Sequence, residues 1–350
     1  MKILVVDYKS IKSHQNFNKI HIDVLLHQGH HLTLVGKKGQ FDNIEIKQGV
    51  NILNIPEGFY FSFPFPQLSE RMREIFCLLY IWLKIKFSTF DFVIIPTYDI
   101  LSFFLFRIPQ KVVLINHNNV SQLENKLKFI LTKLLPKRYI HIALNRLMEE
   151  HLRELLPNAK IYYIPHGVLS KPIEKRLPSF LQNEKAFLFC PVNSNFNNEF
   201  VNTIFCSTEL RDYLAQMELQ LFVKSSLDIH PESSNIISLP SLSDSEYDYM
   251  LSHAKAVILP YGKMFKYRCS GILFECVSYN TPVLATTLDD MLIYKNEINV
   301  DFFDDSQSLV LGLTKLLTTS LTEKNIAALN PELFWKKMIN TEFSPMSKCP

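Results

Sequence analysis

The chain has 350 residues, 47% of them hydrophobic and 20% charged, and a formal net charge of +3. This composition excludes a disordered chain, and the length suits two domains of ordinary size. Residues 1–170 carry 21 Lys and Arg against 13 Asp and Glu, whereas residues 171–350 carry 16 against 21. The basic first half favours an anionic partner, either a phosphate-bearing acceptor or an anionic membrane; an ordinary fluctuation of composition is the alternative.

The cysteines and the N-terminus bear on the compartment. The six cysteines show neither a CxxC pair nor a metal-ligand spacing, which indicates reduced core thiols and predicts no metal site. The segment MKILVVDYK has a short apolar run that leads to charge, which is typical of a strand and not of a signal peptide. The predicted location is the cytoplasm, with the cytoplasmic face of the inner membrane as a candidate surface.

The first elements form a β-α-β pattern. A helix is predicted at Phe17–Gln28, between strands at Lys2–Asp7, His31–Val35 and Val50–Ile55. The loop after the first strand, Tyr8–Gln15, contains no glycine. The glycine fingerprint of dinucleotide-binding proteins is therefore missing, which argues against a nicotinamide-dependent dehydrogenase.

An amphipathic helix is predicted next, at Ser69–Phe87. Its run IFCLLYIWL is too short to span a bilayer. The flanking cations favour a helix lying on a membrane surface, and a helix buried between domains is the alternative. These cations are Arg71, Arg73, Lys84 and Lys86. The aromatic loop 57–67 is either core packing or an exposed wedge for lipid or sugar, and the segments 101–106 and 126–138 add to the membrane interpretation.

Two polar triplets follow the next strands, which are predicted at Asp91–Pro96 and Lys111–Asn116. In open α/β sheets the ligand lies beyond the carboxyl ends of the strands. Asp99 and His117 stand in these positions, and both are candidate general bases. A histidine that only satisfies a loop carbonyl is the alternative for His117.

The polar segment 169–183 indicates a linker before the second half. The remaining predicted elements are strands at 140–145, 161–164, 186–191, 220–223, 235–238, 256–259 and 283–286, and helices at 148–156, 271–279 and 330–340.

The stretch 254–287 carries a candidate anion site. Ser270 is a good N-cap, and the helix after it offers the N–H groups of Gly271, Ile272 and Leu273 at the positive end of its dipole. Such a helix start binds phosphate, and the basic loop before it, with Lys263, Lys266 and Arg268, strengthens the site.

Glu275 lies about one turn further into the same helix. A carboxylate there can accept two hydrogen bonds from a vicinal diol such as a ribose. Phosphate at the helix start and a diol on the next turn together describe a nucleoside diphosphate. A common helix start with a solvent-facing glutamate is the alternative.

The segment SGILFECVSYNTPVLAT, residues 270–286, resembles the donor site of GT-B glycosyltransferases, especially glycosyltransferase family 4 and its relatives. IPHGV at 164–168 resembles the close of the first domain in these enzymes, and NPELFWKKMIN at 330–340 resembles their last helix. The resemblance implies an α/β protein of GT-B fold, with two Rossmann-like domains and a cleft between them. It implies an acceptor-binding domain at 1–168, a linker at 169–184, a nucleotide-sugar-binding domain at 185–325, and a helix at 326–350 that crosses back.

The resemblance also implies a function: transfer of a sugar from a nucleotide-diphosphate sugar to a saccharide acceptor. We expect a lipid-linked acceptor of bacterial surface polysaccharide synthesis, no metal, no cofactor besides the donor substrate, and no nucleic-acid partner. The resemblance assigns the phosphates to Ser270, Gly271 and Ile272, the ribose to Glu275, and the transferred sugar to His117. Further donor contacts are expected at Lys224, Lys266, Tyr267, Arg268 and His166.

Two departures from the family pattern accompany this assignment. Tyr267 stands where the family has the first of two glutamates, and the loop VNSNFNNEF at 192–200 lacks the family's arginine and lysine. Retention of configuration is expected, with inversion through Asp99 or His117 as the alternative. Two other functions stay open: a GT-B-fold nucleotide-sugar 2-epimerase, which would turn over donor without acceptor, and a non-catalytic glycosyltransferase-like subunit.

Overall fold

The computed structural model describes residues 1–9, 14–45, 49–61, 64–181, 185–191, 198–224, 235–318 and 326–343. The chain divides into two compact units. The first comprises Met1–Gly167, Tyr267–Cys269 and Leu329–Pro350, and the second comprises Val168–Lys266 and Ser270–Ala328. The segment predicted as a linker belongs to the second unit, and its described part, residues 169–181, contains neither helix nor strand.

Each unit is built on a parallel sheet. Strands buried on both faces require nearly continuous apolar sequence, which is why runs such as FVII and AVIL form the central strands. In the described chain the strands are β1 (Lys2–Asp7), β2 (His31–Lys37), β3 (Val50–Ile55), β4 (Phe92–Ile95), β5 (Lys111–Asn116), β6 (Ile140–Ala143), β7 (Lys160–Tyr163), β8 (Phe187–Pro191), β9 (Gln220–Lys224), β10 (Ile236–Leu239), β11 (Ala256–Leu259), β12 (Val283–Thr286) and β13 (Val300–Phe303).

The second sheet repeats the order of the first six strands of the first sheet. Among the described residues the first sheet runs β3-β2-β1-β4-β5-β6-β7, and the second runs β10-β9-β8-β11-β12-β13. In the first sheet β2 and β3 lie on one side of β1, and the later strands lie on the other side, beginning with β4. In the second sheet β9 and β10 lie on one side of β8, and the later strands begin with β11 on the other side. The direction in which strands are added therefore reverses between β1 and β4 and between β8 and β11. Ligands of open α/β sheets bind outside the carboxyl ends of the strands at such a reversal. The fold therefore points to the loops that follow β1, β4, β8 and β11.

Helices cover both faces of the first sheet. The helices of the described chain are α1 (Gln15–His27), α2 (Pro66–Lys84), α3 (Ile100–Phe103), α4 (Asn119–Gln122), α5 (Lys126–Lys133), α6 (Arg146–Leu155), α7 (Asn198–Phe205), α8 (Thr208–Gln216), α9 (Asp244–His253), α10 (Gly271–Ser278), α11 (Asp289–Leu292), α12 (Ser306–Thr318) and α13 (Glu332–Phe343). The helices α1, α6 and α13 share one apolar cluster with alternate residues of β1, whereas α2 and α3 share the opposite cluster.

The structure shifts the bounds of the predicted helices by a few residues and adds a strand and several helices. The helix predicted at Ser69–Phe87 spans Pro66–Lys84, since Pro66 is suited to the first helical position and Ile85 is extended. The strand Val300–Phe303 was not predicted from the sequence, and neither were the helices Asn198–Phe205, Thr208–Gln216 and Ser306–Thr318. None of the helices in the described ranges is long and apolar enough to cross a membrane.

Parts of three predicted loops lie outside the described residues. They are residues 10–13 of the loop after β1, residues 62–63 of the aromatic loop, and residues 192–197 of the loop that lacks the family's cations.

Candidate functional site

The start of α10 is built around a buried hydroxyl pair. Ser270 is the N-cap, and its Oγ accepts a hydrogen bond from the N–H of Leu273 at 3.1 Å. The phenol of Tyr261, which follows β11, lies 2.5 Å from the same Oγ, and both side chains are buried. The Oγ1 of Thr286 in turn donates to the carbonyl of Tyr261 at 2.8 Å. These hydrogen bonds therefore anchor the helix start to the carboxyl ends of β11 and β12.

One part of the predicted anion site is wrong. The N–H of Leu273 is bonded to Ser270, so it is not available to a phosphate. Gly271 and Ile272 remain, because the first residues of a helix have no helical carbonyl to bond. Two N–H groups and the helix dipole can still hold an anion at this position.

Glu275 faces partly outward on α10, with 24% of its side chain exposed. The ammonium of Lys171 lies 3.9 Å from its Oε1 and donates to Asp248 Oδ1 at 3.0 Å. Lys171 was missed from the sequence, because it lies in the segment predicted as a linker. The carboxylate is thus part of a half-buried charged group, which is consistent with a polar binding site and not with an isolated surface glutamate.

Lys224 ends β9 on the same edge of the second sheet. Its ammonium lies 5.3 Å from the ring centroid of Tyr247, which packs edge-on against Phe189 of β8 at 5.9 Å. Burial, followed by the negative charge of Glu275, raises the pKa of Tyr247 well above its usual value. Tyr247 lies on α9, which contacts α10, the helix of Glu275, so Lys224, Tyr247 and Glu275 lie in the same part of the second unit.

Tyr267 and Arg268 take a different environment. Both belong to the first unit, where the Tyr267 ring stacks on His151 of α6 at 3.8 Å and 6°. The carbonyl of Arg268 accepts a hydrogen bond from Asn145 at 3.1 Å. Tyr267 has a left-handed φ of 53°, a conformation that costs a tyrosine on the order of 1 kcal/mol. Lys266, which precedes them, belongs to the second unit and is exposed.

The carboxyl edge of the first sheet carries a cluster of neutral histidines. His117 follows β5, and its ring lies 4.4 Å from His14 and 4.4 Å from Phe17. His117 is 93% buried, as its relative exposure of 7% shows, and its Nε2 has no partner among the described residues. Burial, followed by the neighbouring histidines, lowers its pKa well below the usual value. The side chain is therefore a neutral hydrogen-bonding group.

His21 and His166 extend this cluster, and their contacts fix one tautomer. An indole N–H can only donate, so the 2.8 Å bond from Trp335 shows that Nδ1 of His21 accepts. The proton of His21 is then on Nε2, which donates to the carbonyl of His166 at 3.2 Å. Burial lowers the pKa of His21 to about 3 and that of His166 to about 4. His166, predicted as a donor contact, lies in the first unit and packs 4.9 Å from Phe17.

Both carboxylate oxygens of Asp99 already have partners in the structure. Its Oδ2 caps α3 by accepting from the N–H groups of Leu101 and Ser102, and its Oδ1 lies 3.4 Å from the ammonium of Lys128. Since both oxygens have partners, proton abstraction by Asp99 would require these contacts to break. Of the two predicted bases, only His117 has an unpaired atom in the described structure.

A partly buried ion network beside Asp99 was also missed from the sequence. The ammonium of Lys9, two residues beyond β1, lies 2.8 Å from Glu74 and 3.4 Å from Glu70. Glu74 accepts a 2.6 Å bond from Ser102 Oγ. The only sequence signal was the position of Lys9 just after the first strand. The network ties the first turns of α2 to the carboxyl ends of β1 and β4.

No group of three or more His, Cys, Asp and Glu side chains in the described ranges is arranged to hold a metal ion. No family model and no curated protein sequence matches the chain.

Solved structures match the chain over nearly its whole length. The UDP-GlcNAc 2-epimerase of Methanocaldococcus jannaschii is 14% identical with a TM-score of 0.62, covering 97% of this chain and 99% of that one. A UDP-forming α,α-trehalose-phosphate synthase of Burkholderia vietnamiensis is 9% identical with a TM-score of 0.65, covering 97% and 98%. The sucrose-phosphate synthase of Thermosynechococcus elongatus is 12% identical with a TM-score of 0.60, covering 97% and 100%. The chain has the GT-B fold, and the predicted fold class is confirmed.

Proposed function

We propose that the protein is a glycosyltransferase that moves a sugar from a nucleotide-diphosphate sugar to a saccharide acceptor. The observation that carries the proposal is the α10 start, where Ser270 is fixed by Tyr261 and Glu275 lies one turn further in. An anion site followed by a diol acceptor is the pattern a nucleoside diphosphate requires. The similar structures are named for UDP-forming synthases and UDP-sugar epimerases, so a UDP-sugar is the first donor to test.

In this proposal the diphosphate binds the N–H groups of Gly271 and Ile272, and the ribose hydroxyls donate to Glu275. Lys171 stays paired with Asp248 at 3.0 Å and orients the carboxylate from 3.9 Å. Lys224 and the helix dipole, with Lys266 and Arg268 as further candidates, offset the charge of the leaving diphosphate. Such fixed charges stabilise a transition state because they need no reorganisation when the negative charge develops.

In the reaction the bond between the anomeric carbon and the diphosphate oxygen breaks, and an acceptor hydroxyl oxygen bonds to that carbon. The acceptor proton must leave at the same time. A good base has a pKa near the operating pH, whereas the pKa of His117 lies well below its usual value and Asp99 caps a helix. We therefore assign His117 to hydrogen bonding of a sugar hydroxyl. The leaving phosphate takes the proton, which corresponds to retention of configuration.

The acceptor is assigned to the first unit, through its basic composition and the polar edge formed by Lys9, Glu74 and Asp99. We propose a lipid-linked saccharide at the cytoplasmic face of the membrane, as in the synthesis of bacterial surface polysaccharides. The transfer itself does not depend on this choice of acceptor.

A nucleotide-sugar 2-epimerase is the second candidate, because a UDP-GlcNAc 2-epimerase covers 100% of this chain with a TM-score of 0.63. The two functions differ in their need for an acceptor. An epimerase changes the sugar of the donor in the absence of any acceptor, whereas a transferase releases the nucleoside diphosphate when an acceptor is present.

The first test is a thermal-shift screen of the purified protein with UDP, GDP, CMP and dTDP, and then with the matching sugar nucleotides. A ligand that binds only the folded protein raises the Tm. We expect a clear shift with one nucleoside diphosphate. NMR of the sugar nucleotide during incubation without acceptor then separates the candidates, since a new epimer favours the epimerase. No shift with any nucleotide would contradict both candidates and favour a binding subunit.

A further inference from the structure

The helix α2 has two apolar faces, of which only one is used by the core. Cys77, Leu78 and Ile81 are buried against the first sheet. On the opposite side a second apolar stripe repeats every three or four residues and points to solvent, with Trp82 49% and Leu83 67% exposed. The members of this stripe that are exposed are Leu68, Phe76, Leu79, Trp82 and Leu83. A soluble helix normally presents polar residues there, so the second stripe needs an explanation.

The exposed apolar surface continues onto neighbouring helices. The helix α3 contacts both α2 and α5, so the three helices lie side by side on the first unit. Large apolar side chains point to solvent on the last two as well: Leu105, just after α3, and Leu127, Ile130 and Leu134 on and after α5. We call these exposed residues, together with the stripe on α2, the apolar face.

Cations border the apolar face. The exposed or half-buried cations on and beside α2, α3 and α5 are Arg71, Arg73, Lys84, Lys86, Arg107, Lys126, Lys128, Lys133, Lys137 and Arg138. Few acids oppose them: Glu70 and Glu74 are paired with Lys9 and Asp99 with Lys128, which leaves Glu57 and Glu124. Long basic side chains beside exposed aromatic and aliphatic ones match the two layers of a lipid surface, anionic headgroups above acyl chains.

We propose that the apolar face docks on a bilayer surface that carries anionic headgroups. A second copy of the chain fits the face less well, since a two-fold interface would set these cations against themselves. A docked helix lies in the plane of the interface with its apolar stripe buried about 5–10 Å. This mode suits α2, whose 19 residues are apolar on two sides and carry Arg and Lys at their borders.

The docking would bring one edge of the first sheet close to lipid. Lys9, just beyond β1, is paired with Glu70 and Glu74 in the first half of α2. The apolar stripe therefore begins at the carboxyl edge of the sheet, where Asp99 and Ser102 also lie. An acceptor with a saccharide head and a lipid tail could reach both regions at once. The docking face is independent of the proposed sugar transfer, so the two proposals can fail separately.

The native protein contains a built-in probe for this proposal. It has two tryptophans, of which Trp335 is fully buried and Trp82 lies in the stripe. We expect vesicles of phosphatidylcholine mixed with phosphatidylglycerol to shift the fluorescence emission of Trp82 to shorter wavelength. Brominated acyl chains in the same vesicles should quench this fluorescence. Vesicles of phosphatidylcholine alone should bind at least about tenfold more weakly, and added salt should release the protein from the anionic ones.

Two variant pairs sharpen the test by vesicle co-sedimentation. Trp82→Glu with Leu83→Glu should reduce binding at least about tenfold, whereas Leu311→Glu, at a position 65% exposed on α12, should not. Replacing Lys126, Lys133 and Lys137 by Glu should abolish the preference for anionic vesicles. The matched control is Lys336→Glu with Lys337→Glu, two exposed positions on α13.

Three results would overturn the proposal. One is an unchanged Trp82 emission with anionic vesicles, which needs no variant and so does not depend on variant folding. Another is equal binding to both kinds of vesicle. The third is a wild-type dimer that ignores vesicles and becomes a monomer in the Trp82→Glu, Leu83→Glu variant, which would show that a second copy covers the face.

Discussion

The two units share the order of their first six strands but have different chemistry at the carboxyl edges of their sheets. The edge of the first sheet holds buried neutral histidines, with Nε2 of His117 lacking a hydrogen-bond partner among the described residues, and an ion network around Lys9. The edge of the second sheet holds a capped helix start and a half-buried glutamate beside Lys171. The shared topology places both groups at the carboxyl ends of the strands, whereas the side chains after each strand make the two edges chemically different.

The largest effect is expected from removing the tryptophan that holds α13 in the first unit. Trp335→Ala should lower the free energy of unfolding by about 3–5 kcal/mol, because it leaves a cavity and an unpaired Nδ1 on His21. Urea denaturation followed by circular dichroism measures this loss. Trp335→Phe is the control: it keeps most of the volume, and a loss as large as that of Ala would show that the hydrogen bond, not packing, dominates.

Acid should weaken the first unit through its histidines. His21 and His166 have pKa values of about 3 and about 4 in the folded protein, below the usual value, so their stabilising effect is present above pH 6.5 and lost as the pH falls. Each should reduce the free energy of unfolding by about 1.4 kcal/mol per pH unit below that point. Urea unfolding at several pH values tests this. His166→Asn should lower the slope of the free energy of unfolding against pH by about 1.4 kcal/mol per pH unit, which is the contribution of one proton. An unchanged slope would contradict the assignment of His166 as a neutral side chain in the folded protein.

His117 should matter more for turnover than for stability. His117→Phe should reduce kcat/KM about 10- to 100-fold, since one hydrogen bond to the sugar is worth about 1–3 kcal/mol. The free energy of unfolding should change by under about 1 kcal/mol, because Nε2 has no partner to lose among the described residues. Steady-state kinetics and denaturation of the same preparation test both statements. Full activity of the His117→Phe variant would show that His117 contributes only to packing.

The smallest effect is expected at the cap of α10. Ser270→Ala should lower the free energy of unfolding by about 1 kcal/mol, because the N–H of Leu273 loses its partner. Ser270→Thr keeps a hydroxyl and serves as the control in the same thermal-shift assay. Donor binding should weaken in the Ala variant, since the helix start loses its link to Tyr261. Unaltered binding would place the diphosphate elsewhere.

The sequence was sufficient to predict most strands and the start of α10. Apolar runs such as Lys2–Asp7 and Val283–Thr286 are strands in the structure, and the Ser-Gly pair begins a helix. Two further features could have been predicted from the sequence but were not. An N-cap serine bonds the third helical N–H, so the engagement of Leu273 follows from Ser270. An aspartate directly before a short helix is itself a cap, which is the role of Asp99.

Other features could not be predicted, because folding alone brings distant residues together. Lys171 joins Glu275 from the segment predicted as a linker, and Trp335 joins His21 from the far end of the chain. The environment of Tyr267 is of the same kind, since nothing in the sequence indicates its stacking on His151. Pairings of this sort depend on the packing of whole elements, which a single sequence does not reveal.

The central claim is that Glu275 and the α10 start bind a nucleoside diphosphate. The most direct measurement is a calorimetric titration of the diphosphate selected by the screen into the wild type and into Glu275→Ala. The account predicts at least about a 30-fold loss of affinity, because two hydrogen bonds to a charged group are removed. Asp289→Ala, an exposed carboxylate in the same unit, should bind like the wild type. Full affinity in Glu275→Ala would contradict the claim.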